Sequence, residues 1–145
     1  MMQSNKKDFQ VVYDHAIIDK NFGPYSPFNL KKDLKDISES EAIEMSKAIA
    51  AELKTGPGRP TYQVLHTSPL NIKITYAKIR CRDRSRSAGK SKGWRCIVLI
   101  DNINSIGFVL HVFSHRDKDN ISQNEHNALR RVVEEYIKAV SRYSN

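Results

Sequence analysis

The side chains best suited to chemistry lie in one run, from Lys78 to Arg95. There Lys78, Arg80, Arg82, Arg84, Arg86, Lys90, Lys92 and Arg95 are opposed only by Asp83, giving +7 within eighteen residues. The whole 145-residue chain carries +8, so the other 127 residues add only +1. Charge focused in this way attracts polyanions and speeds their capture, with a steep dependence on salt. Charge alone leaves a solvated basic loop as an equal alternative. Spacing has to separate the two.

Strand periodicity puts Lys78, Arg80 and Arg82 on one face, with Ala77, Ile79 and Cys81 on the other. The apolar face can pack on a helix while the three cations project together. Arg95 opens the next strand and is expected near that row. A third strand ends in SHRDKDN, which sets His115 and Arg116 at or just beyond its end and Lys118 two residues on. In a meander of adjacent strands these groups would meet on one patch.

Such a patch suits metal-free cleavage of an RNA phosphodiester. A base takes the proton of the 2′-hydroxyl, cations steady the pentacovalent charge, and an acid protonates the leaving oxygen. Arginine binds phosphate bidentately, a lysine desolvated among cations loses affinity for its proton, and histidine serves as acid or base. The loop and terminal cations Arg82, Arg84, Arg86, Lys90, Lys92 and Lys118 are expected to grip RNA backbone.

Plainer uses compete at each position. Lys78 and Arg80 equally suit ordinary outward charges. His111 lies in an apolar strand and reads as a core histidine, whereas His115 is better placed for proton transfer. His15, His66 and His126 have no distinguishing spacing. Tyr76 and Trp94 could stack on bases, although core packing is the commoner use of Trp94. Asp117 and Asp119 favour the start of a helix. No EF-hand loop, phosphate loop or dinucleotide fingerprint occurs.

Cys81 and Cys96 lack metal-ligand spacing, so they are expected as buried reduced thiols, with no metal site and no cofactor. The start lacks an apolar leader, and no run approaches the roughly 20 apolar residues of a membrane span. The expectation is a cytoplasmic protein with no membrane partner.

The positioning elements follow from period and punctuation. One domain over 1–145 is expected, with 1–8 a flexible tail; a chain this long buries roughly 68–70% of its unfolded surface. Residues 9–18 read as a first strand, NFGPYSPF as a turn-rich link, and Asn29 to Asp36 as a short helix. Ser38 and Glu41 form a capping-box pattern ahead of Ala42, Met45, Ile49 and Leu53 at helical spacing, and Gly56-Pro57 stops that helix. Arg59, in the connector GPGRP, reads as a solvated loop arginine. Strands are expected over Ile72 to Arg82, Trp94 to Ile100 and Ile106 to Ser114, the last two joined by the tight link DNINS. The nine residues from Asp83 to Ser91 exceed a usual hairpin loop, so that link is either functional or disordered. Ser122 and Glu125 cap a last helix, whose apolar stripe is Leu129, Val132, Val133, Tyr136, Ile137 and Val140.

The order KIRCRD, GKSKGWRCIVLID, VLHVFSHRDKDNIS and a closing amphipathic helix resembles the RelE/ParE superfamily of toxins, closest to its RelE and HigB-like branch. The likeness spans about residues 70–140. It implies a small α+β domain in which a twisted, mainly antiparallel sheet packs with N-terminal helices and a C-terminal amphipathic helix. It also implies a metal-independent endoribonuclease acting on mRNA at the ribosome and neutralised by a cognate antitoxin protein. Carried over, the catalytic set is Lys78, Arg80, Arg95, His115 and Arg116. The tyrosine or His-Tyr pair of some relatives is missing from 117–122, and His115 is the hypothesised substitute as the acid. The same resemblance admits a toxin that poisons a DNA topoisomerase. A basic module that binds RNA or ribosome without cutting is the third reading.

Overall fold

The structure is a computed structural model that describes residues 7–81, 93–114 and 120–143. Its elements run β1 (Gln10–Val12), α1 (His15–Phe22), α2 (Leu30–Asp33), a 3-10 turn (Leu34–Asp36), α3 (Glu39–Thr55), β2 (Tyr62–Thr67), β3 (Ile74–Cys81), β4 (Trp94–Asp101), β5 (Ile106–Ser114) and α4 (Gln123–Tyr143). The five strands form one sheet in the order β1-β5-β4-β3-β2. Only the short β1 pairs in parallel, with β5; every other pairing is antiparallel. The class is α+β, as expected, with a C-terminal helix on a mainly antiparallel sheet.

The best-marked elements form where their caps predict. The Ser38 hydroxyl accepts the Glu41 N–H, and the Glu41 carboxylate accepts the Ser38 N–H, so two otherwise unpaired donors of α3 are satisfied. Ala42, Met45, Ile49 and Leu53 are buried along one side. Gly56 ends the helix at φ +101°, a conformation open to glycine and costly for other residues. Ser122 and Glu125 repeat the reciprocal cap at the start of α4, which buries Leu129, Val132 and Val133.

The N-terminal reading needs correction. Strand pairing stops at Val12, and 15–22 is helical. Asp14 is the reason: its carboxylate accepts the Ala16 N–H and starts α1 inside a run whose residues alone suit a strand. The segment NFGPYSPF therefore begins within a helix. Tyr62–Thr67 forms an edge strand that the periodicity did not mark. Arg59 is not a loose loop cation, because its guanidinium pairs with the Glu52 carboxylate at 2.6 Å.

Directly opposed residues of adjacent strands point to the same side of the sheet. One side carries Ile79, Cys81, Cys96, Val98 and Val112 and packs under α3, where the Cys81 thiol lies 3.9 Å from the Met45 carbonyl. The two thiols are buried and free, and contact with Cys81 together with burial pushes the Cys96 thiol up. The other side carries Tyr76, Lys78, Arg80, Arg95, Ile97 and Leu99, and α4 crosses part of it.

Candidate phosphate-binding face

On the α4 side, the register arranges the sheet in three rungs. Arg80 lies opposite Arg95, which lies opposite Phe113. Lys78, Ile97 and His111 form the second rung, and Tyr76, Leu99 and Phe108 the third. The expected meeting of Lys78, Arg80 and Arg95 is therefore met in the backbone. Their side chains differ in setting. Arg80 is exposed, and Lys78 is half-buried with its Nζ donating to Asn120 Oδ1 at 2.9 Å. Arg95 is only 8% exposed, and its buried Nε–H has no hydrogen-bond acceptor among the described residues.

The expected sites Arg82, Arg84, Arg86, Lys90, Lys92, His115, Arg116 and Lys118 lie outside the described residues. Their points of attachment are described. Cys81, Trp94 and Ser114 sit directly across from one another, so segments 82–92 and 115–119 both join the sheet at the Arg80–Arg95 end.

Two β-bulges bring histidines to this face that strand alternation would place on the other. In β5, Val109 faces Val98 and His111 faces Ile97, so Leu110 is the extra residue and His111 turns to the cationic side. In β2, Val64 faces Ala77 and His66 faces Tyr76, with Leu65 the extra residue. Neither bulge has a glycine or other marker in the sequence.

His111 is buried, as its apolar strand implied, and strongly oriented. Its Nδ1 lies 2.7 Å from Asp33 Oδ2, and the Phe28 ring stacks on it at 4.0 Å, nearly parallel. The same Asp33 oxygen accepts the Val112 N–H at 3.1 Å. β1 pairs with β5 only as far as Phe108, so Asp33 satisfies a backbone donor beyond the end of β1 and locks α2 to that strand. Buried His111 Nε2 has no partner among the described residues. An orphaned nitrogen on each of Arg95 and His111, at diagonal positions of one face, is unusual, since buried polar groups are nearly always paired.

Tyr76 corrects an expectation: it is 0% exposed and offers no ring face to a base. Its hydroxyl instead lies 2.9 Å from His126 Nδ1 on α4, and the Arg130 charge acts on it to lower its pKa against burial. Trp94 packs partly buried against the core. Among the described residues no group of His, Cys, Asp and Glu could hold a metal ion, and no helix is long and apolar enough to cross a membrane.

No protein-family model, curated protein or solved structure matches this chain.

Proposed function

We propose that the protein is an endoribonuclease toxin that cleaves mRNA on the ribosome without a metal and is restrained by a cognate antitoxin. The observation that carries this reading is the gathering of Lys78, Arg80 and Arg95 on one face, at the sheet end where the basic segment 82–92 and the segment bearing His115 and Arg116 attach. Arg80 meets a non-bridging phosphoryl oxygen from the surface, and the unpaired Nε–H of Arg95 is a donor that such an oxygen would satisfy. The 2′-oxygen forms a bond to phosphorus as its proton passes to a base, Lys78 or His115. The bond from phosphorus to the 5′-oxygen breaks, and that oxygen takes a proton from the acid, for which His115 is the candidate. The products are a 2′,3′-cyclic phosphate and a 5′-hydroxyl.

Brief expression followed by mapping of new 5′ ends on a translated message tests this reading. Cleavage during translation, absent when translation is blocked, is expected. Intact message with double-strand DNA breaks would replace the reading with topoisomerase poisoning, and intact message with neither effect would leave an RNA binder.

A further inference from the structure

We propose that His66, His126 and Arg130 form a second anion site, a notch where β2, β3 and α4 meet, and that it takes a phosphate oxyanion of the RNA strand. The RNA assignment rests on the function proposed above; the anion site does not. The bulge at Leu65 turns His66 onto the face of Tyr76, with ring centroids 5.3 Å apart, and His126 approaches the same tyrosine from α4 at 5.9 Å.

Buried Tyr76 organises the donors around it. The Tyr76 hydroxyl and His126 Nδ1 share one hydrogen bond, and Arg130 is near enough to lower the Tyr76 pKa by its charge. Burial holds the Tyr76 hydroxyl above its ordinary pKa despite Arg130, which keeps the hydroxyl hydrogen in place. With the Tyr76 hydroxyl as the donor, a neutral His126 carries its hydrogen on Nε2. Arg130 is exposed and acts on Tyr76 by its charge, and among the described residues His66 makes a ring contact but no hydrogen bond. Three side chains thus offer uncommitted N–H donors around one hydroxyl, opposed by Glu134 one turn along α4.

Burial, then Arg130 and His126, hold His66 below the usual imidazole range, with Glu134 acting against them. An anion in the notch reverses that balance. By reciprocity, proton uptake at His66 strengthens anion binding to the degree that the anion strengthens proton uptake. Lys78 is two residues along β3 on the same face, about 7 Å away by strand rise. A strand held at Lys78 and Arg80 therefore continues naturally into the notch.

The test uses histidine-ring NMR signals of the full-length protein, titrated with sodium sulfate and with sodium chloride at matched ionic strength. Sulfate does not titrate between pH 6 and 8, so any pH effect belongs to the protein. Saturable shifts of His66 and His126 with sulfate alone are expected, tighter at pH 6 than at pH 8. The exposed-site substitution Arg130→Gln should weaken them at least tenfold. An equal response to chloride, or sulfate binding untouched by Arg130→Gln, overturns the site. K78A/R80A protein should keep the sulfate response, which separates this notch from failure of the cleavage reading. In a last arm, a short 2′-O-methyl RNA that cannot be cleaved should displace sulfate; failure to compete overturns the RNA assignment and leaves a site for free oxyanions.

Discussion

Arg80 and Arg95 face each other across β3 and β4, yet one is exposed and the other almost wholly buried. Their substitutions should differ accordingly. Arg80→Ala removes a surface cation, so folding should be intact; the proposed nuclease function predicts that cleavage falls by about 10²-fold, the usual loss on removing one stabiliser of transition-state charge. Thermal melting together with a cleavage assay reads both quantities. Asp33 has the opposite profile. Asp33→Ala leaves His111 Nδ1 and the Val112 N–H without their acceptor, and should cost about 2–3 kcal/mol in urea unfolding. A stability loss below about 0.5 kcal/mol, the level of an ordinary surface substitution, would contradict the role assigned to Asp33 as the lock between α2 and β5.

At the scale of elements, what could be read from sequence follows from how each element is punctuated. α3 and α4 announce themselves with reciprocal caps, Ser38–Glu41 and Ser122–Glu125, and with apolar stripes that the structure buries. Ser38→Ala should therefore cost about 1 kcal/mol, measured by denaturant unfolding. The three central strands were legible because each is a short run rich in β-branched and other apolar residues, the last two divided by the link DNINS. α1 was not, because a single cap at Asp14 competes with the strand-forming run around it. The side of the sheet on which His66 and His111 lie was illegible for a different reason. Alternation assumes a period of two, and one extra residue at Leu65 or Leu110 reverses the face of everything beyond it. Leucine is equally at home on either side of the sheet, so composition cannot reveal the slip. Lys78, Arg80 and Arg95 were found by charge and period, whereas Asp33 and Arg130 reach the face from other elements and have no local marker.

For the molecule as a whole, a second lock holds α4 to the β4–β5 turn. The buried Asp101 carboxylate accepts the Ile103 and Asn104 N–H groups, the Asn104 side-chain amide and the Tyr136 hydroxyl. Burial disfavours its charge, but the hydrogen bonds outweigh burial and hold its pKa below the ordinary carboxylate value. Burial and Asp101 push the Tyr136 hydroxyl up. A depressed carboxylate stabilises the fold above its unfolded pKa of about 3.9, and that contribution fades as pH falls through the folded value. A raised tyrosine stabilises below about pH 10, and its contribution fades as pH rises from there. Tyr136→Phe should thus cost about 1.5–3 kcal/mol at pH 7, with the difference from wild type narrowing below pH 4 and above pH 10. A difference independent of pH across that range would show that the pair does not act as described.

The central claim is that this face cuts RNA by internal attack of the 2′-hydroxyl, with side chains alone moving protons and bearing charge. The most direct measurement is the chemistry of the cut ends, made on a message cleaved on purified ribosomes by wild-type and K78A/R80A protein. The account predicts a 2′,3′-cyclic phosphate and a 5′-hydroxyl, formed by the wild type and lost in the double substitution. A 3′-hydroxyl with a 5′-phosphate, or equal cutting by the two proteins, would contradict it.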